Sequence, residues 1–185
     1  MNDAERLIRF YEGTGTDHRG RTLAAIHAYD RDALERHHDF IQWLFPLPEP
    51  SPVNPHAPRL TSDAIAAFHS RPELRRALLA SLDVMLDFYG LGLQRSHNAT
   101  TPSTVVPPGE QLAVVRAPHW ANAARNWLTP GNHNFLRLTR IMRSCSLLGL
   151  GDAARALHAA LEEVYADEPR IVGERTIGFW RRAPG

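Results

Sequence analysis

The sequence predicts a mainly α, single-domain helical bundle of about six to eight helices over residues 1–185, with a small β-hairpin near 91–116. Three observations carry that reading. Apolar residues recur at i, i+3 and i+4 through most of the chain, the signature of one-faced helices. Glycine and proline cut this pattern into pieces of helix length. The period changes in one place, where "LGLQR" and "EQLAVVRA" read as two short strands around a polar, proline-rich stretch.

The first helix is "NDAERLIRFY", with Ala4, Leu7, Ile8 and Tyr11 on one face, and Gly13, Gly15 and Gly20 break the chain after it. "RTLAAIHAYDRDALERHHDFIQWLF" reads as two helices with a break at Asp30, and Leu34, Ile41 and Leu44 turn inward by spacing. Six prolines then fall between Pro46 and Pro58. Proline lacks an N–H and disfavours helix in the residue before it, so 46–58 is expected to be an extended loop wrapping the outside between two packed helices.

"TSDAIAAFHS" is a short helix opened by Thr61 or Ser62. "SRPELRRALLASLDVMLDFYGL" is the clearest helix, with a capping-box spacing at Ser70 and Glu73, Pro72 in its first turn and Gly90 as its stop. A loop over about 96–110 is expected to be mobile. "HWANAARNWL" is a helix ended at Thr129, Pro130 and Gly131. Asn132 is the expected cap of "NHNFLRLTRIMRSCSLLGLG", whose Phe135, Leu138, Ile141, Met142, Cys145 and Leu148 point inward. Asp152 should cap "DAARALHAALEEVYA", and Pro169 should open a last helix with Ile171, Val172 and Phe179 inward.

Composition narrows function by exclusion. The formal net charge is +1, so no global electrostatic grip on nucleic acid is expected. All 21 basic residues are arginine, which removes a Schiff-base lysine and a P-loop lysine. The single cysteine, Cys145, cannot form an intramolecular disulfide and reads as a packed core thiol. No apolar run approaches the roughly 20 residues of a membrane span, and the N-terminus does not read as a signal peptide. These points give a cytoplasmic protein. Glycine-rich dinucleotide loops, Gly-x-Ser-x-Gly elbows and His-Glu-x-x-His pairs are missing, so the familiar enzyme signatures offer nothing.

Ten histidines are many for 185 residues. His37, His38, His56, His119 and His133 each sit at a helix start or loop near an aromatic. No pair has the i, i+4 spacing of a helical metal site, so capping or solvated histidines are the simpler reading, and no metal or other cofactor is expected. His38 and Gln42 share a face of the expected helix, as do His133 and Arg137 with Arg140 a turn on. Arg137, Arg140 and Arg143 form either a solvated stripe or a clamp for carboxylate or phosphate. Trp43, Trp120 and Trp127 are more readily core than ligand cage.

The strings "HDFIQWLFPLPEP", "NPHAPRLT", "AAFHSRPELRRALLASLDVMLDFYGL" and "NHNFLRLTRIMRSCSLLGL" resemble, in order, the conserved domain of the opioid growth factor receptor family. The match spans roughly residues 5–165, and Gln94–Pro118 departs from the vertebrate pattern by being longer and richer in proline. The vertebrate member is described as a receptor for an opioid peptide, associated with nucleus and membranes, with long regions outside this domain. The resemblance implies a domain-only, bacterial member to which no catalytic residues transfer.

The expected function is therefore a module binding a small molecule or peptide, anionic by preference. Its groove would be lined by His38, Gln42, Trp43, His56, His133, Asn134, Arg137 and Arg140. Two other readings stay open. One is an enzyme using His38 or His133 as base or metal ligand with Arg137 on an anionic substrate. The other is an interaction scaffold without a pocket. Oligomeric state is not legible.

Overall fold

A computed structural model describes residues 1–95 and 112–184; the stretch expected to be mobile, about 96–110, lies outside the described residues. The chain divides into two compact units, Met1–Val84 and Met85–Gly185, and the division falls within one helix. The expectation of a mainly α chain with one small antiparallel hairpin is borne out.

The first unit opens with α1 (Asp3–Tyr11). Asn2 and Glu5 form a reciprocal capping box, satisfying two of the N–H groups that a helix start leaves open. Ala4, Leu7, Phe10 and Tyr11 are buried, while Ile8 is half-buried. Three short helices follow: α2 (Leu23–His27), α3 (Arg31–Arg36) and α4 (Ile41–Leu44). Thr22 caps α2 and Asp30 caps α3 through side-chain oxygens. The sequence reading placed one break here, at Asp30; a second lies at His37–Phe40, where His37 is extended (φ −90°, ψ 129°). Splits of this kind raise the number of helices among the described residues to ten.

The proline segment connects α4 to α5 (Ser62–Ser70) as irregular chain. It does not lie wholly outside, as expected: Pro46, Leu47, Asn54 and Pro58 are buried. The stretch is stitched by the Leu60 N–H to the Leu47 carbonyl (3.0 Å) and by Arg59 Nε to the Pro48 carbonyl (3.0 Å). Ser70 does not cap the next helix. Its hydroxyl donates back to the Ala66 and Ala67 carbonyls and so closes α5. This is the local competition that serine offers near helix ends. Helix α6 (Pro72–Tyr89) buries Leu74, Leu78, Leu82, Met85 and Leu86 along one stripe.

In the second unit β1 (Leu91–Arg95) pairs antiparallel with β2 (Leu112–Arg116), Leu91 opposite Arg116 and Leu93 opposite Val114. Gly90 makes the turn into β1 at φ +75°. A Cβ there would lie 2.8 Å from Ala123 Cβ and 2.9 Å from Trp120 Cα, so both its backbone angle and its lack of a side chain are needed. Then come α7 (Trp120–Trp127), α8 (Asn134–Leu147), α9 (Gly151–Asp167) and α10 (Pro169–Arg182). Helices α8, α9 and α10 pack on one another, and β2 packs on α9.

Several cap assignments shift by a residue or two. His133 is the N-cap position of α8 but its side chain does not cap the helix, and Asn132 instead accepts from the Asn134 N–H at 2.9 Å. Asp152 lies inside the first turn of α9 and pairs with Arg155, while Leu150 occupies the cap. In α10, Gly173 at φ +77° kinks the helix and resets its phase. Val172, Ile177 and Trp180 are therefore buried, whereas Ile171 and Phe179 are half-buried. Cys145 is completely buried in α8, and burial pushes its thiol up to about 12, in keeping with a packed core thiol.

Candidate functional site

The eight residues singled out in the sequence fall four in each unit. In the first unit they adjoin a charged loop that the sequence reading passed over.

The stretch Thr16–Arg21 folds around Asp17. Its carboxylate accepts the backbone N–H groups of Arg19 (2.8 Å) and Arg21 (2.9 Å), the local bonding that aspartate favours in turns. Its other oxygen takes the Arg21 guanidinium, Nε at 2.6 Å and Nη2 at 2.5 Å. Arg21 Nη1 reaches on to Asp39 at 3.0 Å. Arg19 also pairs with Asp39, and His18 Nε2 faces the same carboxylate at 3.5 Å. Burial opposes charge on Asp39, yet the Arg21 bond and charge, with Arg19 beside it, hold its carboxyl below the ordinary range. Burial likewise opposes charge on Arg21, but its bonds to Asp17, Tyr29 and Asp39 prevail and raise its pKa.

Above this network lies a stack of rings. His18 is near-parallel to His56, centroids 5.6 Å apart, and to Trp43 at 6.4 Å. The Arg6 guanidinium sits 5.1 Å from the Trp43 ring centre, and Phe10 packs against Trp43 at 5.2 Å. Trp43 is 1% exposed, and its indole N–H has no hydrogen-bond partner among the described residues. His18 Nδ1 is also buried without one.

The remaining candidates of this unit serve the fold in part. His38 lies between helices, not on one, because the break at His37–Phe40 ends the shared face expected with Gln42. Its Nε2 meets the Glu35 carbonyl at 3.0 Å, closing α3. Gln42 is buried, with its side-chain oxygen 3.5 Å from Asn54 Nδ2, which donates to the Asp39 carbonyl at 2.7 Å. His56 is exposed, while its backbone carbonyl accepts from Arg6 at 2.8 Å.

In the second unit Asn134 and Arg137 do come together. Asn134 is fully buried; its side-chain oxygen accepts from Arg137 Nη1 (3.2 Å) and Tyr89 Oη (3.3 Å), and its amide donates to Asn132 (3.0 Å). Arg137 is 5% exposed, so the expected stripe of solvated arginines begins with a buried one. Arg140 and Arg143 are half-buried and His133 is exposed. Trp127 is core, its indole N–H donating to the Tyr89 carbonyl at 3.0 Å, and Trp120 packs edge-on against it at 5.8 Å.

Among the described residues no group of three or more His, Cys, Asp or Glu converges as a metal ion requires. Nor is any helix long and apolar enough to cross a membrane. Residues missed in the sequence are Arg6, Asp17, His18, Arg21, Asp39 and Asn54. The visible signal was "TDHRGR", four ionisable residues within five positions around Gly20.

The motif strings that build this site match the family model of the opioid growth factor receptor conserved region over residues 8–169. The chain belongs to that family. The opioid growth factor receptor of Mus musculus is 40% identical over 119 residues, covering 64% of this chain and 16% of that protein. That of Homo sapiens is 39% identical over 119 residues, 64% and 15%. Opioid growth factor receptor-like protein 1 of Mus musculus is 35% identical over 121 residues, 65% and 22%. The chain thus spans less than a quarter of the length of these curated relatives. No solved structure matches it.

Within the conserved region the family strings divide by role. Leu44, Phe45 and Tyr89 are core, and Tyr11 donates its hydroxyl to the Leu44 carbonyl. Trp43, Asn134 and Arg137 are buried too, but each brings a polar group that apolar packing alone does not call for.

Proposed function

We propose that this chain is a ligand-binding module that takes a small molecule or peptide segment at the His18, Trp43 and His56 rings of its first unit. The observation that carries this reading is the buried indole N–H of Trp43, unpaired among the described residues. A buried donor without an acceptor costs about 1–3 kcal/mol, and such groups are uncommon in native proteins. A bound acceptor would satisfy it. Aromatic walls with a few directed polar groups are what a binding site for an organic ligand needs. Arg6, paired with Asp3 at 3.2 Å, places its guanidinium over the Trp43 ring, so a carboxylate or another anion is the favoured ligand chemistry. The relatives are named as receptors; for this chain that supports reception of a ligand and specifies none. The lone buried thiol fits a cytoplasmic setting.

The test is native mass spectrometry of the full chain purified from its own host, beside Trp43→Phe. That substitution keeps an aromatic wall and removes the N–H. A small-molecule or peptide mass retained by the wild type and lost in the variant, with thermal melting within a few degrees, is the expected result. Equal retention by both proteins, or none by either, overturns the reading.

A further inference from the structure

The second unit carries a groove that the ring site leaves unused. It has a volume of about 680 Å³ and runs between β2 and α9. Every residue of Leu112–Arg116 lines it on one side. Successive side chains of a strand point to opposite faces, so a groove touching all five runs along the edge of the strand. The opposite wall is built from Ala156, Ala160 and neighbouring alanines of α9, with Glu163 and Asp167 at the rim.

Among the described residues that edge of β2 is open. Directly opposed residues in an antiparallel pair alternate between bonded and non-bonded pairs. The Ala117 N–H donates to the Gly90 carbonyl at 2.8 Å, which makes this opposed pair a bonded one. By alternation Val115 and Ala113 turn their backbone groups toward β1, and Leu112, Val114 and Arg116 turn theirs away. Among the described residues no backbone partner meets these outward groups. Exposed strand edges are templates for another extended segment. The charges choose its sign. Arg116 is engaged with Asp167, while Glu163 is exposed and forms no ion pair among the described residues.

We propose that the outer edge of β2 and the alanine wall of α9 form a strand-addition groove for an extended peptide segment of a partner protein. That segment is apolar at alternate positions and carries a basic side chain opposite Glu163. Its backbone pairs with Leu112, Val114 and Arg116. The short alanine side chains leave room for its apolar residues. This site lies apart in sequence from the ring cluster, so either assignment can fail alone.

The test is fluorescence anisotropy of the full chain with dye-labelled eight-residue peptide pools, valine, isoleucine or leucine at alternate positions and a central arginine or glutamate. Saturable binding of the arginine pool, at least tenfold tighter than the glutamate pool, is expected. Glu163→Arg should reverse the preference, and Ala160→Arg should abolish binding of both pools by filling the groove. A pool with N-methylated backbone amides on the strand-facing side should not bind. Failure of the arginine pool to saturate, indifference to Glu163→Arg, or equal binding of the N-methylated pool overturns the proposal. So does sedimentation showing that β2 edges pair between copies of the chain and that Ala160→Arg makes it monomeric.

Discussion

Arg21 and Asp39 lie 18 residues apart and meet at 3.0 Å, and the same guanidinium holds Asp17, whose side chain is fully buried. One arginine therefore bridges two carboxylates and ties the first loop to the start of α4. Removing one partner of a buried charge pair strands the other. Arg21→Met should lower stability by about 3 kcal/mol, read from the urea midpoint. Asp39→Asn should cost less, because Asp17 keeps its counter-charge.

The same network sets an acid limit. Asp39 titrates below its ordinary value, so the folded chain holds this carboxylate charged where the unfolded chain binds a proton. Its contribution is fully present above about pH 4 and is lost as pH falls through the lowered folded value. Urea unfolding from pH 5 to 2 should show a shallower loss in Asp39→Asn than in the wild type.

His27 adds a second, milder pH dependence. Its Nε2 lies 2.9 Å from Ser81 Oγ, whose own proton goes to the Ala77 carbonyl, so His27 is the donor. Burial lowers its pKa, keeping the folded ring neutral below the value of the unfolded ring. Its contribution is present above about pH 6.5 and declines as pH falls toward the lowered folded value. His27→Gln keeps a donor without a titration, and its stability should be flatter than the wild type's between about pH 6.5 and 5.

Gly90 is under two constraints at once, a left-handed backbone and a 2.8 Å approach to Ala123. Gly90→Ala should destabilise by about 2 kcal/mol or more, seen as a lower Tm. A matching change at Gly92, where a Cβ meets nothing within 4 Å and no positive φ is recorded, should cost much less.

Cys145 should be silent toward a thiol-reactive disulfide dye in the folded chain and react within minutes in 6 M guanidinium. Complete burial and a thiol pushed up to about 12 leave almost no accessible thiolate.

The long stripes were legible because one buried face repeats many times. Leu74 to Leu86 in α6 and Phe135 to Cys145 in α8 could not be placed otherwise without exposing them. The hairpin was legible from its change of period. Short helices were not: between His37 and Phe40 the chain breaks without glycine or proline, because tertiary packing of Phe40 outweighs local preference. Cap positions slipped for a related reason, since Asn132 and Ser70 each have more than one partner within reach and Asp152 turns to Arg155. At the candidate site, Trp43 and His56 were visible, but Asp17, His18 and Arg21 were not. Their meaning comes from long-range contact with Asp39 and Trp43, which no local pattern records.

Helix α1 is tied at its start to residues made much later. Arg6 donates to the carbonyl of His56, and Asp3 accepts from the N–H of Arg59, 50 and 56 residues on. On a ribosome adding roughly 5–20 residues per second, those partners arrive on the order of several seconds after the helix itself is made. During that interval the two bonds to residues 56 and 59 are absent from the helix start. Helix α1 is thus made before the partners that fix its start, and these two ties close only once residues 56–59 have followed.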